Sequence, residues 1–304
     1  MTTMNTNLFA TVLTYPAPSS NYRGESEENR TVLQKISKNG KEYTVISPES
    51  MRNALREMLI KVAPAECNRR RLHDQKELAV GFKEFPNAEK YADDFLFGYL
   101  VADKAAIEKN RNTLPKRDSV FRMNMAVALT PYRFNAVFHQ SPLNAPLEPG
   151  QTPPFKNAST SALIHREISH TAYQYPFALA GNDCRIGKGV EWTRMLLNAI
   201  GQLSDVAGGH ARSYFEMSPK SIVARLTPQL VAGYDTYGFD EQGKFPELAR
   251  IKADDLPGEE FWIGGEIVRT MLPEERRRLE QERIHLYENP QRLLAELSEA
   301  FLPK

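Results

Sequence analysis

Residues 32–62, VLQKISKNGKEYTVISPESMRNALREMLIKV, change from one backbone regime to another within a single stretch. Residues 32–36 and 42–46 are short β-prone runs on either side of Lys38-Asn39-Gly40-Lys41. An Asn-Gly pair between such runs predicts a two-residue hairpin, because both central positions of that turn need positive φ. Ser47-Pro48 then predicts a helix start: the serine side chain caps free N–H groups, and proline has no N–H to leave unpaired in the first turn. Met51, Ala54, Leu55, Met58, Leu59 and Val62 recur at helical spacing and form one apolar face. A hairpin running straight into an amphipathic helix needs a sheet to lie against.

The flanking sequence supplies the strands. Residues 7–14, NLFATVLT, are rich in β-favouring types and end at Tyr15-Pro16, so they predict a first strand. Asn21-Tyr22-Arg23-Gly24-Glu25 reads as a polar loop after it. Residues 64–118 carry mainly helical spacing, at 67–80, 88–101 and 104–112. They open with Arg69-Arg70-Arg71 and read as an insertion between β-rich parts. Strand character returns at 120–129 and 162–179, with a proline-rich loop over 131–161 between them. A loop of that length inside a domain is usually functional or disordered.

A second helix follows Gly187-Lys188-Gly189 and is expected to stop at Gly208-Gly209. Strands over 211–217 and 221–226 come next, then an acidic loop over 240–260 and two helices over 273–287 and 290–301. Without the insertion and tail, the order is strand, helix, strand, strand, helix, strand. That is the ferredoxin-like α+β arrangement, which RNA-recognition domains also use. It divides the chain into a split domain over 1–63 and 119–235, a helical insertion over 64–118, and an acidic helical region over 236–304. Many functions share this scaffold, so the fold alone decides none.

Across 304 residues, 25% are charged and 41% hydrophobic, which excludes collagen-like, disordered and disulfide-dense classes. Cys67 and Cys184 form no C-x-x-C pair, so neither a zinc cage nor a redox motif is expected, and no cofactor or metal is implied. No apolar run approaches a membrane span and no export segment opens the chain, so a cytoplasmic protein without membrane contact is expected. Net charge is +1, but residues 1–230 hold 29 Lys/Arg against 22 Asp/Glu, whereas the remainder holds 10 against 16. An anion-binding surface needs local rather than global positive charge, and the gradient of +7 to −6 permits one.

His165 and His170, five apart on one expected strand, point to opposite faces and cannot share a metal. Gly181, Gly187 and Lys188 miss phosphate-loop spacing by one residue, and Gly189 stands where magnesium would need a hydroxyl. The anion-ready elements are therefore elsewhere. The helix start joins Ser47 and Ser50 to Arg52 and Arg56, which are expected one turn apart on the exposed side. A solvated helix face explains the same residues. Gly208-Gly209-His210-Ala211-Arg212 permits close backbone approach to a sugar-phosphate chain, or is a helix C-cap. Phe134, Phe138 and His139 on the long loop can stack on bases, or bury the loop's own apolar atoms.

Residues 15–59, YPAPSSNYRGESEENRTVLQKISKNGKEYTVISPESMRNALREML, strongly resemble the CRISPR-associated backbone subunits of the DevR branch. Residues 157–181, NASTSALIHREISHTAYQYPFALAG, are similar to the same family. The resemblance implies a hand-shaped protein with an RNA-recognition-like palm, helical fingers over 64–118 and a thumb over 131–161. Copies would polymerise as a helical filament along a guide RNA in a type I surveillance complex, with subtype I-B the nearest match. Other effector subunits and the target DNA paired to the guide would be further partners. The implied guide-binding positions are Asn21, Arg23, Ser47, Ser50, Arg52, Arg56, Gly208, Gly209, His210 and Arg212, with Phe138 and His139 on the thumb. Related type III subunits cut RNA with a loop aspartate that has no counterpart here, so no nuclease activity is expected. The rival expectations are a metal-independent ribonuclease using His139 or His210 as general base, and a small-molecule enzyme or plain interaction domain.

Overall fold

The strand Asn7–Thr14 (β1) lies at the middle of the molecule, buried on both sides. The computed structural model describes residues 6–20, 22–27, 30–73, 78–140, 163–206, 216–253 and 255–303. Seven further strands build a central sheet around β1: Lys35–Lys38 (β2), Lys41–Ile46 (β3), Ala126–Ala128 (β4), Tyr173–Ala180 (β5), Pro219–Thr227 (β6), Phe261–Gly265 (β7) and His285–Tyr287 (β8). Their order is β8-β7-β6-β1-β5-β4-β3-β2, antiparallel except for β7 and β8, and Arg122–Met123 pairs with the end of β5. Thr11 of β1 faces Pro176 of β5 and Val223 of β6.

Because side chains alternate along a strand, β1 feeds two cores. Leu8, Ala10 and Val12 point to a layer made by helices Pro48–Val62 (α1), Ala92–Phe97 (α2), Gly189–Gly201 (α3) and Pro290–Phe301 (α4), centred on the buried Trp192. Leu13 points the other way, into a core of Tyr234, Phe239, Phe245 and Phe261. With both faces covered, β1 shows almost no polar alternation, and its Thr11 hydroxyl donates to the Thr236 carbonyl at 2.9 Å.

The expected hairpin and helix start are both present. Asn39 and Gly40 take φ of 53° and 72° in the turn between β2 and β3, and the Ser47 side chain accepts from the Ser50 N–H at the start of α1. Several other expectations are corrected. The stretch 67–80 is a hairpin, Arg69–His73 with Leu78–Phe82, rather than a helix. The polar loop after β1 contains a strand, Tyr22–Glu27, paired with Arg30–Leu33. The long loop starts with a strand, Ala136–Gln140, antiparallel to Leu163–Glu167, and 141–162 lie outside the described residues. The second helix ends at Gly201, before Gly208-Gly209. The runs 120–129 and 162–179 are each divided into shorter strands. In the acidic tail, β7 and β8 extend the sheet, and the helix expected over 273–287 stops at Gln281.

Candidate nucleic-acid interface

At the start of α1 the Ser47 hydroxyl donates to the Ser50 Oγ at 3.1 Å and accepts from the Ser50 N–H at 3.2 Å. Further along, Arg52 is half-buried and its Nε–H has no hydrogen-bond acceptor among the described residues. Arg56, a turn further on the same side, is not on a solvated face as expected: its side chain is only 11% exposed. The insertion covers it. Its guanidinium lies over the Phe97 ring at 4.9 Å, and its Nε is 3.9 Å from Asp93 Oδ2, an ion pair too long to be a hydrogen bond.

The insertion positions that acid by spending its oxygens on backbone. Asp93 accepts the N–H groups of Asn68 and Arg69, each at 2.8 Å, across 25 and 24 residues of chain. Asp94 accepts the Asn68 side-chain amide at 2.7 Å and the Asn87 N–H at 3.0 Å, while burial raises its pKa against those hydrogen bonds. Arg69 therefore sits beside Arg56, with its guanidinium 4.7 Å from the Phe82 ring centroid and its own Nε–H without an acceptor. Burial first, and the neighbouring Arg69 charge second, lower the Arg56 pKa to about 10, opposed by Asp93, so the group stays cationic at neutral pH.

Among the described residues, the buried Nε–H atoms of Arg52 and Arg56 on α1 and of Arg69 in the insertion have no acceptor. Leaving such a donor unsatisfied costs about 1–3 kcal/mol, more for a charged one.

A second four-stranded sheet runs Ala136–Gln140, Leu163–Glu167, Arg30–Leu33, Tyr22–Glu27. It places Phe138 and Arg23 on opposite edge strands of that sheet. Phe138 is 58% exposed and meets His165 edge-on, with centroids 4.8 Å apart. Beside this sheet, Tyr173 Oη of β5 lies 2.8 Å from Ser19 Oγ and 3.0 Å from Thr44 Oγ1, which holds the short strand Ala17–Ser19 against the central sheet. The buried Glu167 accepts the Leu33 N–H at 3.2 Å and faces Lys35 Nζ at 3.5 Å.

Of the positions expected to bind, Ser47, Ser50, Arg52 and Arg56 share one helix end and Phe138 stands on the second sheet. Asn21, Gly208, Gly209, His210 and Arg212 lie outside the described residues, and Arg23 and His139 are described only as positions in strands. Arg69, Asp93 and Phe97 were not singled out as site residues by sequence, although the Arg69-Arg70-Arg71 run was the available signal. Among the described residues no group of His, Cys, Asp and Glu is placed to hold a metal, and no helix is long and apolar enough to cross a membrane.

No protein-family model matches the chain. The CRISPR-associated protein Cas7/Cst2/DevR of Myxococcus xanthus (strain DK1622) is 34% identical over 295 residues, which cover 93% of this chain and 94% of that protein. A chain of a CRISPR RNA-guided surveillance complex described as pre-nicking has the same fold, with a TM-score of 0.61 at 11% identity over 97% of this chain and 100% of its own. A chain of a second CRISPR RNA-guided surveillance complex gives 0.54 at 12% identity over 97% and 99%.

Proposed function

The chain belongs to the Cas7/Cst2/DevR family of CRISPR-associated proteins, and we propose that it is the guide-RNA-binding backbone subunit of a type I CRISPR effector complex. Several copies line one guide RNA, hold it by its phosphates and leave its bases free to pair with target DNA. We assign the complex to subtype I-B on the resemblance of residues 15–59. The observation that carries this reading is the group of neighbouring cations, Arg52 and Arg56 one turn apart on α1 and Arg69 beside Arg56. They stand beside a capped helix N-terminus, whose dipole also favours an anion.

The sheet order supports the same reading. The order β6-β1-β5-β4, connected through α1 and α3, supports a ferredoxin-like, RNA-recognition-like palm. On that scaffold the insertion acts as fingers and the Ala136–Gln140 sheet as the root of a thumb that offers Phe138 to a base. Guide sequences differ from one another, so the protein must bind ribose, phosphate and π-faces rather than base edges. The subunit is a scaffold without catalytic chemistry of its own.

Purified protein incubated with labelled guide RNAs of unrelated sequence tests this directly. Binding within about threefold across sequences, with the RNA intact in the presence and absence of magnesium, is the expected result. Binding confined to particular sequences, or cleavage that persists in repeated preparations, overturns it.

A further inference from the structure

On the face of the central sheet away from the helices, a groove with a volume of about 640 Å³ opens beside β2, β3 and β4. Ile36, Tyr43, Val127, Leu129 and Phe239 give it an apolar floor, and Asp235, Asp240 and Glu241 give it an acidic rim that Lys38 offsets only in part. Its walls are fixed. The Gln174 side chain donates to the Phe239 carbonyl at 3.2 Å and accepts the Phe239 N–H at 3.1 Å, and the Tyr237 hydroxyl donates to the Met125 carbonyl at 2.7 Å. An acidic rim repels RNA, so this groove is not part of the interface above.

The complementary surface is on the same chain. The ribbon Tyr99–Leu100 with Lys116–Arg117 exposes Leu100 by 66%, and Leu114 beside it is 76% exposed. Lys104, Lys109, Arg111 and Lys116 are exposed around them, and residues 99–117 hold five Lys/Arg against two Asp/Glu, a net +3. The ribbon is held in place: Arg117 Nη1 donates to the Phe95 carbonyl at 2.7 Å, and Phe95 packs on Trp192 of α3. Since Leu100 and Leu114 remain exposed and the groove remains open, the two surfaces do not satisfy each other within one chain.

We propose that the basic, leucine-bearing ribbon over 99–117 of one copy docks into the acid-rimmed apolar groove of the next, with Leu100 and Leu114 entering the groove and Lys104 and Lys116 meeting Asp240 and Glu241. The two patches differ, so the contact is head-to-tail and repeats indefinitely instead of closing a two-fold pair. The contact is small and weak in free solution. It becomes effective when RNA holds neighbouring copies at high local concentration. The proposal rests on the reading that several copies line one RNA, and it names the surfaces that meet.

The test is a pair of introduced cysteines, Leu114→Cys and Glu241→Cys, joined by a short bismaleimide. Native Cys67 and Cys184 are buried, with thiols pushed up to about 12 and about 11, so they stay unmodified near pH 7. The double variant is expected to give a ladder of covalent oligomers, on long guide RNA and at high protein concentration without RNA. Each single variant is expected to give none. A ladder from Leu114→Cys alone, or none from the double variant in either preparation, overturns the contact. A second arm uses Lys116→Glu, expected to weaken loading onto long RNA about tenfold while leaving one copy's binding to a short RNA unchanged. Glu241→Lys in the same chain should restore it, and failure to restore overturns the pairing. RNA binding is read separately throughout: a protein that cross-links but does not bind RNA sinks the proposed function and leaves the contact standing.

Discussion

Arg56 of α1 and Asp93 of α2 lie 3.9 Å apart, with side chains 11% and 0% exposed. This pair joins the insertion to the helix that begins the candidate interface. Removing one member of a buried pair strands the other, whereas replacing both by apolar or neutral groups is often tolerated. Asp93→Ala also removes the acceptor of two backbone N–H groups, so it should lower unfolding free energy by about 3–5 kcal/mol in urea titrations. Adding Arg56→Met to Asp93→Asn should cost clearly less than the two single changes summed. Strict additivity in that cycle would show that the pair is not coupled.

Among the described residues Arg52 makes no ion pair or ring contact of the kind that holds Arg56, so its replacement separates binding from folding. Arg52→Ala should leave thermal stability within about 1 kcal/mol, as for other half-exposed side chains, and weaken guide binding equally for every sequence. The slope of log Kobs against log salt should become shallower by about 0.7, one phosphate contact on a single strand. An unchanged slope would remove Arg52 from the interface.

Tyr173→Phe deletes the hydroxyl shared by Ser19 and Thr44 and should destabilise by about 1–2 kcal/mol. Burial already raises the Tyr173 pKa, so the loss is of a neutral hydrogen-bond partner. Amide exchange should accelerate in residues 17–19 and 169–171 more than in β1, because that hydroxyl holds Ser19, whose strand pairs with Ser169–Thr171. Uniform acceleration across these strands and β1 would contradict this anchoring role.

The buried thiols set an alkaline limit. Cys67 and Cys184 are held up to about 12 and about 11 by desolvation first, against an ordinary value near 9. Both acids have folded pKa values above their unfolded ones, so the unfolded chain loses these protons first. Stability should fall as pH rises above about 9, by at most about 1.4 kcal/mol per pH unit for each thiol. A Cys67→Ala, Cys184→Ala variant should show a shallower decline between pH 9 and 10 in the same measurement.

Gly98 follows α2 with φ of 66°, and a Cβ there would lie against the backbone carbonyl of Arg117. Gly98→Ala combines a disfavoured backbone conformation with a main-chain clash, so it should cost more than about 1 kcal/mol. It should also disturb the Tyr99–Leu100 ribbon, visible as faster proteolysis there. Wild-type stability and cleavage in this variant would show that the backbone shifts without cost.

What sequence conveyed most clearly was local. Asn39-Gly40 requires positive φ and Ser47-Pro48 caps its own helix, so both could be read without knowing the fold. The hairpin at 69–82 could not, since Asp93, more than twenty residues away, accepts the N–H groups of Asn68 and Arg69 and fixes their direction. β7, FWIGG, is short, contains two glycines and follows an acidic tract, yet every residue is buried. Its strand state comes from β6 on one side and β8 on the other. For the site, the Arg52 and Arg56 spacing was legible. That Arg56 is covered was not, because the covering residues belong to the insertion.

The placement of β1 between β5 and β6 also dictates how the molecule is made. Residues 7–14 leave the ribosome well before their two neighbours, which end at Ala180 and Thr227. At roughly 5–20 residues per second the nascent NLFATVLT segment waits tens of seconds for its second flank. Throughout that interval Leu8, Phe9, Ala10, Val12 and Leu13 lack their sheet partners, which makes this segment a target for chaperones and for pairing with other nascent chains.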